Sequence, residues 1–76
     1  MVRVKSPEER TRRIVEGSIF CYLRGAKNLK WIVGMIRTSE IRKSVLQNLF
    51  SAVHETYALD KRFQELEKTC KELGYL

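Results

Sequence analysis

The side chains with the widest chemical reach are few in this sequence. There is one histidine, His54, two cysteines, Cys21 and Cys70, and one aspartate, Asp60. A nucleophilic site needs a thiol or hydroxyl beside a base that a third group orients. A closed zinc site needs four ligands at tight spacing. Three scattered Cys and His residues meet neither demand, and the cysteines read as small core or interface hydrophobes. Gly17, Gly25 and Gly34 are too far apart to form a phosphate-cradling loop. No enzymatic activity, metal, cofactor or small-molecule substrate is therefore expected.

The chemistry that remains is positive charge. The chain of 76 residues carries a formal net charge of +6, with a pI near 9.7. Residues 1–43 hold 11 Lys/Arg and four Glu, whereas residues 44–76 are net −1. Such asymmetry points to an anionic partner. Arg10, Arg12, Arg13, Lys27, Lys30, Arg37, Arg42 and Lys43 are the candidates for phosphate contacts. Thr38, Ser39, Arg42, Lys43 and Gln47 form a polar set at one expected helix start. Arg and Lys suit guanine edges and Gln suits adenine. The leading expectation is a homodimeric double-stranded DNA-binding regulator whose reading helix starts at Ser39.

The elements that must position these groups are helical. Ser6-Pro7-Glu8-Glu9 is a capping box with proline at the first helical position. The first helix should reach Leu23 or Arg24 and stop at Gly25, with Val15, Ile19, Tyr22 and Leu23 inside, helped by Ile14. Gly25 to Asn28 reads as a turn, with Asn28 capping a second helix that buries Leu29, Ile32, Val33 and Ile36. Trp31 and Met35 fall on another face, as core or as a subunit contact. Gly34 is expected to mark close approach of a neighbouring helix. Thr38 or Ser39 should cap the third helix, whose apolar stripe is Ile41, Val45, Leu46, Leu49, Phe50, Ala52, Val53 and Tyr57.

From Val45 a row with alternating steps of four and three runs through Leu49, Ala52, Thr56, Leu59, Phe63, Leu66 and Cys70 to Leu73. Either one helix spans Thr38 to Leu73, or the chain bends near Ala58–Asp60 and Asp60 caps a fourth helix. The bend is favoured. Leu59, Phe63, Leu66, Cys70 and Leu73 would then pack across a dimer, with a Cys70 cross-bridge under oxidation only. The expected fold is all-α, a three- to four-helix bundle with a helix-turn-helix-like central pair. It forms a single domain: residues 1–5 as an arm or short strand, 6–57 as a basic helical core, 58–76 as a packing and dimerisation helix.

Two resemblances support the DNA expectation. Leu29, Ile32 and Ile36, followed by Ile41, Val45 or Leu46, and Leu49, resemble a helix-turn-helix or winged-helix core, although the turn has no glycine. That implies a reader helix in the major groove. Met1 to Lys5 followed by Ser6-Pro7-Glu8-Glu9, with Arg37-Thr38-Ser39-Glu40-Ile41-Arg42, is similar to pieces of ribbon-helix-helix repressors. That resemblance implies a paired strand with Arg3 and Lys5 on the bases.

The competing class is a helical adaptor with no nucleic-acid activity, whose surface would be the long row and Trp31. An anionic membrane or single-stranded RNA is a third class, and a membrane partner is not expected, since it would need the apolar face of the first helix left open. The apolar region Ser18 to Ile36 is interrupted by Arg24, Lys27 and Lys30, so a spanning helix is not expected. With no secretory signal, a cytoplasmic location with reduced cysteines is the expectation.

Overall fold

The structure, a computed structural model, describes residues 7–76. The expected arm or strand with Arg3 and Lys5, and the Ser6 cap, lie outside the described residues. Four helices make up the described chain: α1 (Pro7–Leu23), α2 (Leu29–Ser39), α3 (Lys43–Tyr57) and α4 (Lys61–Glu72).

Local chemistry sets most of these limits. Pro7 opens α1, and Glu8 and Glu9 sit in its first turn, where the helix dipole favours negative charge. Gly25 ends it at φ 85°, a left-handed conformation cheap for glycine. The Ala26 N–H then donates to the Cys21 carbonyl and the Gly25 N–H to that of Tyr22, a Schellman closure. Gly74 closes α4 in the same way, with Tyr75 donating to Cys70. The Asn28 side chain caps α2 by accepting from the Trp31 N–H at 2.8 Å. Asp60 caps α4 by accepting from the Arg62 and Phe63 N–H groups at 2.8 and 3.1 Å.

The third helix departs from expectation. Thr38 and Ser39 do not cap it. They lie in the last turn of α2, where Thr38 Oγ1 donates to the Gly34 carbonyl and Ser39 Oγ to that of Ile36. A hydroxyl can bond back to the preceding turn as readily as forward, and here the backward bond prolongs α2. Glu40 then takes the left-handed position at φ 55°, Ile41 follows, and α3 starts at Lys43 with Arg42 as its N-cap.

Contacts at both ends fix the topology. At their starts α1 and α3 are joined by Glu8 and Arg42; at their ends Phe20 stacks on Tyr57 at 5.9 Å. These two helices are therefore parallel. The start of α4 meets the end of α1 through Arg62 and Tyr22, and its C-terminal tail reaches Ile36 and Arg37 at the end of α2. Thus α2 and α4 run the opposite way. Helix α1 packs against all three others, α4 likewise, but no Cα of α2 lies within 8 Å of a Cα of α3. Those two helices occupy opposite corners, with α1 and α4 between them.

The expected helix-turn-helix pair is thus not a packed pair. Its two apolar stripes are buried against α1 and α4 rather than against each other. The favoured bend at Ala58–Asp60 is present, and α4 folds back along α3 instead of prolonging it. Each helix buries residues at helical spacing: Val15, Ile19, Tyr22 and Leu23; Ile32 and Ile36; Leu46, Leu49, Phe50 and Val53; Phe63, Leu66 and Cys70. Ile14, expected inside, is half exposed. Trp31, Val33 and Met35 are half-buried against the core. A Cβ at Gly34 would meet nothing within 4 Å, so no helix approaches there.

Candidate nucleic-acid interface

Because α3 occupies a corner, one whole side of it faces outward. Leu46, Leu49, Phe50 and Val53 are turned in, while Lys43, Ser44, Gln47, Asn48, Ser51 and Ala52 are exposed. The outer face is polar and free of acid as far as Ala52, and exposed Glu55 follows in the last turn.

Its amino end is open. Arg42 has extended backbone, suited to an N-cap, but makes no side-chain capping bond, and the first turn of α3 holds no acid. The leading N–H groups of a helix carry partial positive charge and attract anions. Cations stand on both sides of this end. Arg37 and Lys43 line a cleft of about 190 Å³ with Glu40, Ile36, Ile41, Leu46 and Tyr75. On the other side Arg12 shares the α1–α3 seam with Glu8, Glu9, Val45 and Asn48. Arg42 Nε lies 3.1 Å from a Glu8 carboxylate oxygen, with the arginine side chain 76% exposed. An ion pair this exposed is held weakly, by roughly 1 kcal/mol or less, so Arg42 is available to a stronger anion.

The candidate residues are only partly brought together. Arg12, Arg37, Arg42, Lys43 and Gln47 surround the start of α3. Lys30 is one step away, in a groove with Arg37, Val33 and Tyr75. Arg10 and Arg13 are exposed on α1, and Arg13 lies 3.7 Å from Glu9. Lys27 is at the opposite end of the bundle, its Nζ 5.3 Å from the Trp31 ring centre. Thr38 is committed to α2 carbonyls, and Ser39 Oγ both donates to the Ile36 carbonyl and accepts from the Ile41 N–H at 3.3 Å.

Sequence reasoning missed Ser44, Asn48 and Ser51. Their signal was available: with Gln47 they recur at steps of three and four, opposite the apolar stripe. It also missed Arg62, whose guanidinium donates to the Tyr22 and Lys27 carbonyls at 2.8 and 2.6 Å and stacks 4.3 Å from the Tyr22 ring. Tyr22 returns a bond from its hydroxyl to the Arg62 carbonyl at 2.8 Å. Burial first, then the Glu65 charge, raises the Tyr22 hydroxyl pKa above its ordinary value, against the lowering effect of Arg62.

The expected dimer row needs correction. Phe63, Leu66 and Cys70 are fully buried inside this chain, so they offer nothing to a partner. The fold-back of α4 turns them onto α1 and α3, and Phe63 meets Phe50 at 5.6 Å. Only Leu59 and Leu73 of that row are exposed. Burial pushes the Cys70 thiol up to about 12, which also removes it from disulfide chemistry in the folded chain. Cys21, His54 and Cys70 sit on three different helices, and among the described residues no group of three His, Cys, Asp or Glu is placed to hold a metal. No described helix is long and apolar enough to cross a membrane. Comparison of the chain with protein-family models, with curated proteins and with solved structures gives no match in any of the three.

Proposed function

We propose that the protein binds double-stranded DNA by laying the outer face of α3 into the major groove, with the cations around its start on the phosphates. One observation carries this reading: α3 stands at a corner of the bundle with an exposed polar face that holds no acid before Glu55, and an uncapped amino end where Arg37, Arg42 and Lys43 outnumber the neighbouring Glu40. A major groove admits one α-helix. Gln47 and Asn48 have the paired donor and acceptor that adenine edges require, and Lys43 suits guanine. Arg12, Arg37 and Arg42 supply positioning contacts that carry no sequence information. This differs from a helix-turn-helix reader, because α2 does not support α3 and Ser39 is not part of the reading helix.

The adaptor alternative has lost part of the surface that suggested it, since Leu49, Phe63, Leu66 and Cys70 of the long row are inside the chain and Trp31 is half-buried. Exposed large apolar side chains among the described residues are confined to Ile14, Leu59 and Leu73.

A salt-titrated mobility shift tests the proposal. Duplex affinity should fall by orders of magnitude between about 50 and 200 mM salt as counterions are released. Arg37→Ala should weaken binding to all sequences and lower the salt slope by about one. Gln47→Ala with Asn48→Ala should chiefly reduce preference among sequences, by roughly 1–3 kcal/mol per lost base contact. Affinity that ignores salt, or that is untouched by all three changes, would refute the reading.

A further inference from the structure

The end of the bundle remote from the α3 start is built from two loops, residues 24–28 and 58–60. Leu59 stands at the turn of the second and is 91% exposed, the most exposed large apolar side chain among the described residues. It is held there. The Asp60 N–H donates to the Tyr57 carbonyl at 3.0 Å, and Gln64 Nε2 donates to the Ala58 carbonyl at 3.0 Å. Asp60 caps α4 immediately after it. Arg62 then ties this turn to the first loop through the Tyr22 and Lys27 carbonyls. The two loops form one cross-braced platform from which a leucine projects.

The platform carries more cations than acids, since within residues 24–28 and 58–61 the one acid is Asp60, whose carboxylate caps α4. No acid occurs from Gly17 to Ser39. Arg24 and Lys27 are exposed in or beside the first loop, and Lys61 is exposed two residues after Leu59. None of the three is in an ion pair among the described residues. Half-buried Trp31 and Tyr57 lie at the same end, Trp31 under Lys27 and Tyr57 against Phe20. An apolar tip, amphipathic rings and unpaired cations together match the boundary between headgroups and acyl chains.

We infer that this end of the bundle docks peripherally on an anionic lipid surface, with Leu59 entering the acyl boundary and Arg24, Lys27 and Lys61 meeting lipid phosphates. Charge complementarity selects this occupant. A nucleic acid would engage the cations but leave Leu59 unused, and an apolar protein partner would leave the cations uncompensated. The site shares no residue with the proposed DNA face, so the two readings stand or fall separately.

The test is co-sedimentation of the full chain with phosphatidylcholine vesicles, either pure or containing roughly one third phosphatidylglycerol. Binding is expected to the anionic vesicles only. Leu59→Ser, which leaves the charge unchanged, should weaken it about fivefold. Lys27→Glu with Lys61→Glu should weaken it by about tenfold or more. Lys43→Ala and Gln47→Ala, at the other end, should leave it within about twofold. All these side chains are exposed, and circular dichroism checks that each variant folds. The inference is overturned if the anionic vesicles capture no protein, or if Leu59→Ser binds as the parent does. It is also overturned if the double charge reversal abolishes duplex binding while vesicle binding persists, which would assign this end to nucleic acid.

Discussion

Helices α3 and α4 face the same physical problem at their starts and meet it in opposite ways. Each leads with N–H groups that have no partner in the helix. At α4 an acid, Asp60, accepts two of them, and Arg62 in the first turn is spent on the carbonyls of Tyr22 and Lys27. That start is closed by the chain itself. At α3 the capping position is taken by an arginine whose side chain caps nothing, and further cations surround it. That start is left electropositive and open. A charge serves stability when the fold supplies its partner, and is left for an external partner when the fold does not.

The comparison can be broken most severely in α4. Leu66→Asp places a charge at a fully buried position, a cost of more than about 4 kcal/mol. A domain this small should unfold, seen as loss of helical circular dichroism. Had the residue lain in a dimer contact, the same change would give a folded monomer by sedimentation. Next in size is Arg62→Ala. It removes two charge-assisted bonds to backbone carbonyls and the stack on Tyr22, so a loss of about 2–3 kcal/mol is expected in urea denaturation. Asp60→Ala should cost about 1 kcal/mol. Neither change should alter duplex affinity, because both act at the closed start.

Alkali provides a milder probe of the same packed side. The folded chain holds the Cys70 thiol protonated up to about 12, whereas an unfolded thiol ionises near 9. The folded state therefore binds the extra proton, and its advantage is complete below about pH 9 and lost as pH rises toward 12. Tyr22, raised mainly by burial, adds in the same direction above its ordinary value near 10. Denaturation midpoints should fall as pH rises from about 9 toward 12, and Cys70→Ala should flatten that fall.

Much of this fold is legible in the residues. Pro7, Gly25, Asn28 and Asp60 each have one strong local preference, and each acts where it is expected. The third helix start is not legible, because Thr38 and Ser39 can bond either way along the chain and only tertiary packing decides. The left-handed position falls on Glu40, a residue with no preference for it. The row from Val45 to Leu73 has an unbroken period, yet the turn at Ala58–Asp60 splits it, so that Leu49, Phe63, Leu66 and Cys70 turn inward while Ala52, Thr56, Leu59 and Leu73 stay exposed. Periodicity records which side of a helix is apolar, not which molecule covers it. For the same reason the cations could be named but not gathered. Lys27 and Lys43 are both basic residues of the first half, and the fold sets them at opposite ends.

Arg42→Ser tests the open start most directly. Serine at this extended backbone position supplies the missing cap, which should stabilise the protein by about 0.5–1 kcal/mol. The same change removes a cation from the proposed DNA face, so duplex affinity should fall while thermal stability rises. Melting temperature and duplex affinity measured on one preparation would record both. A variant that melts higher and binds DNA as well as its parent, or that binds less only because it is less stable, would contradict the account.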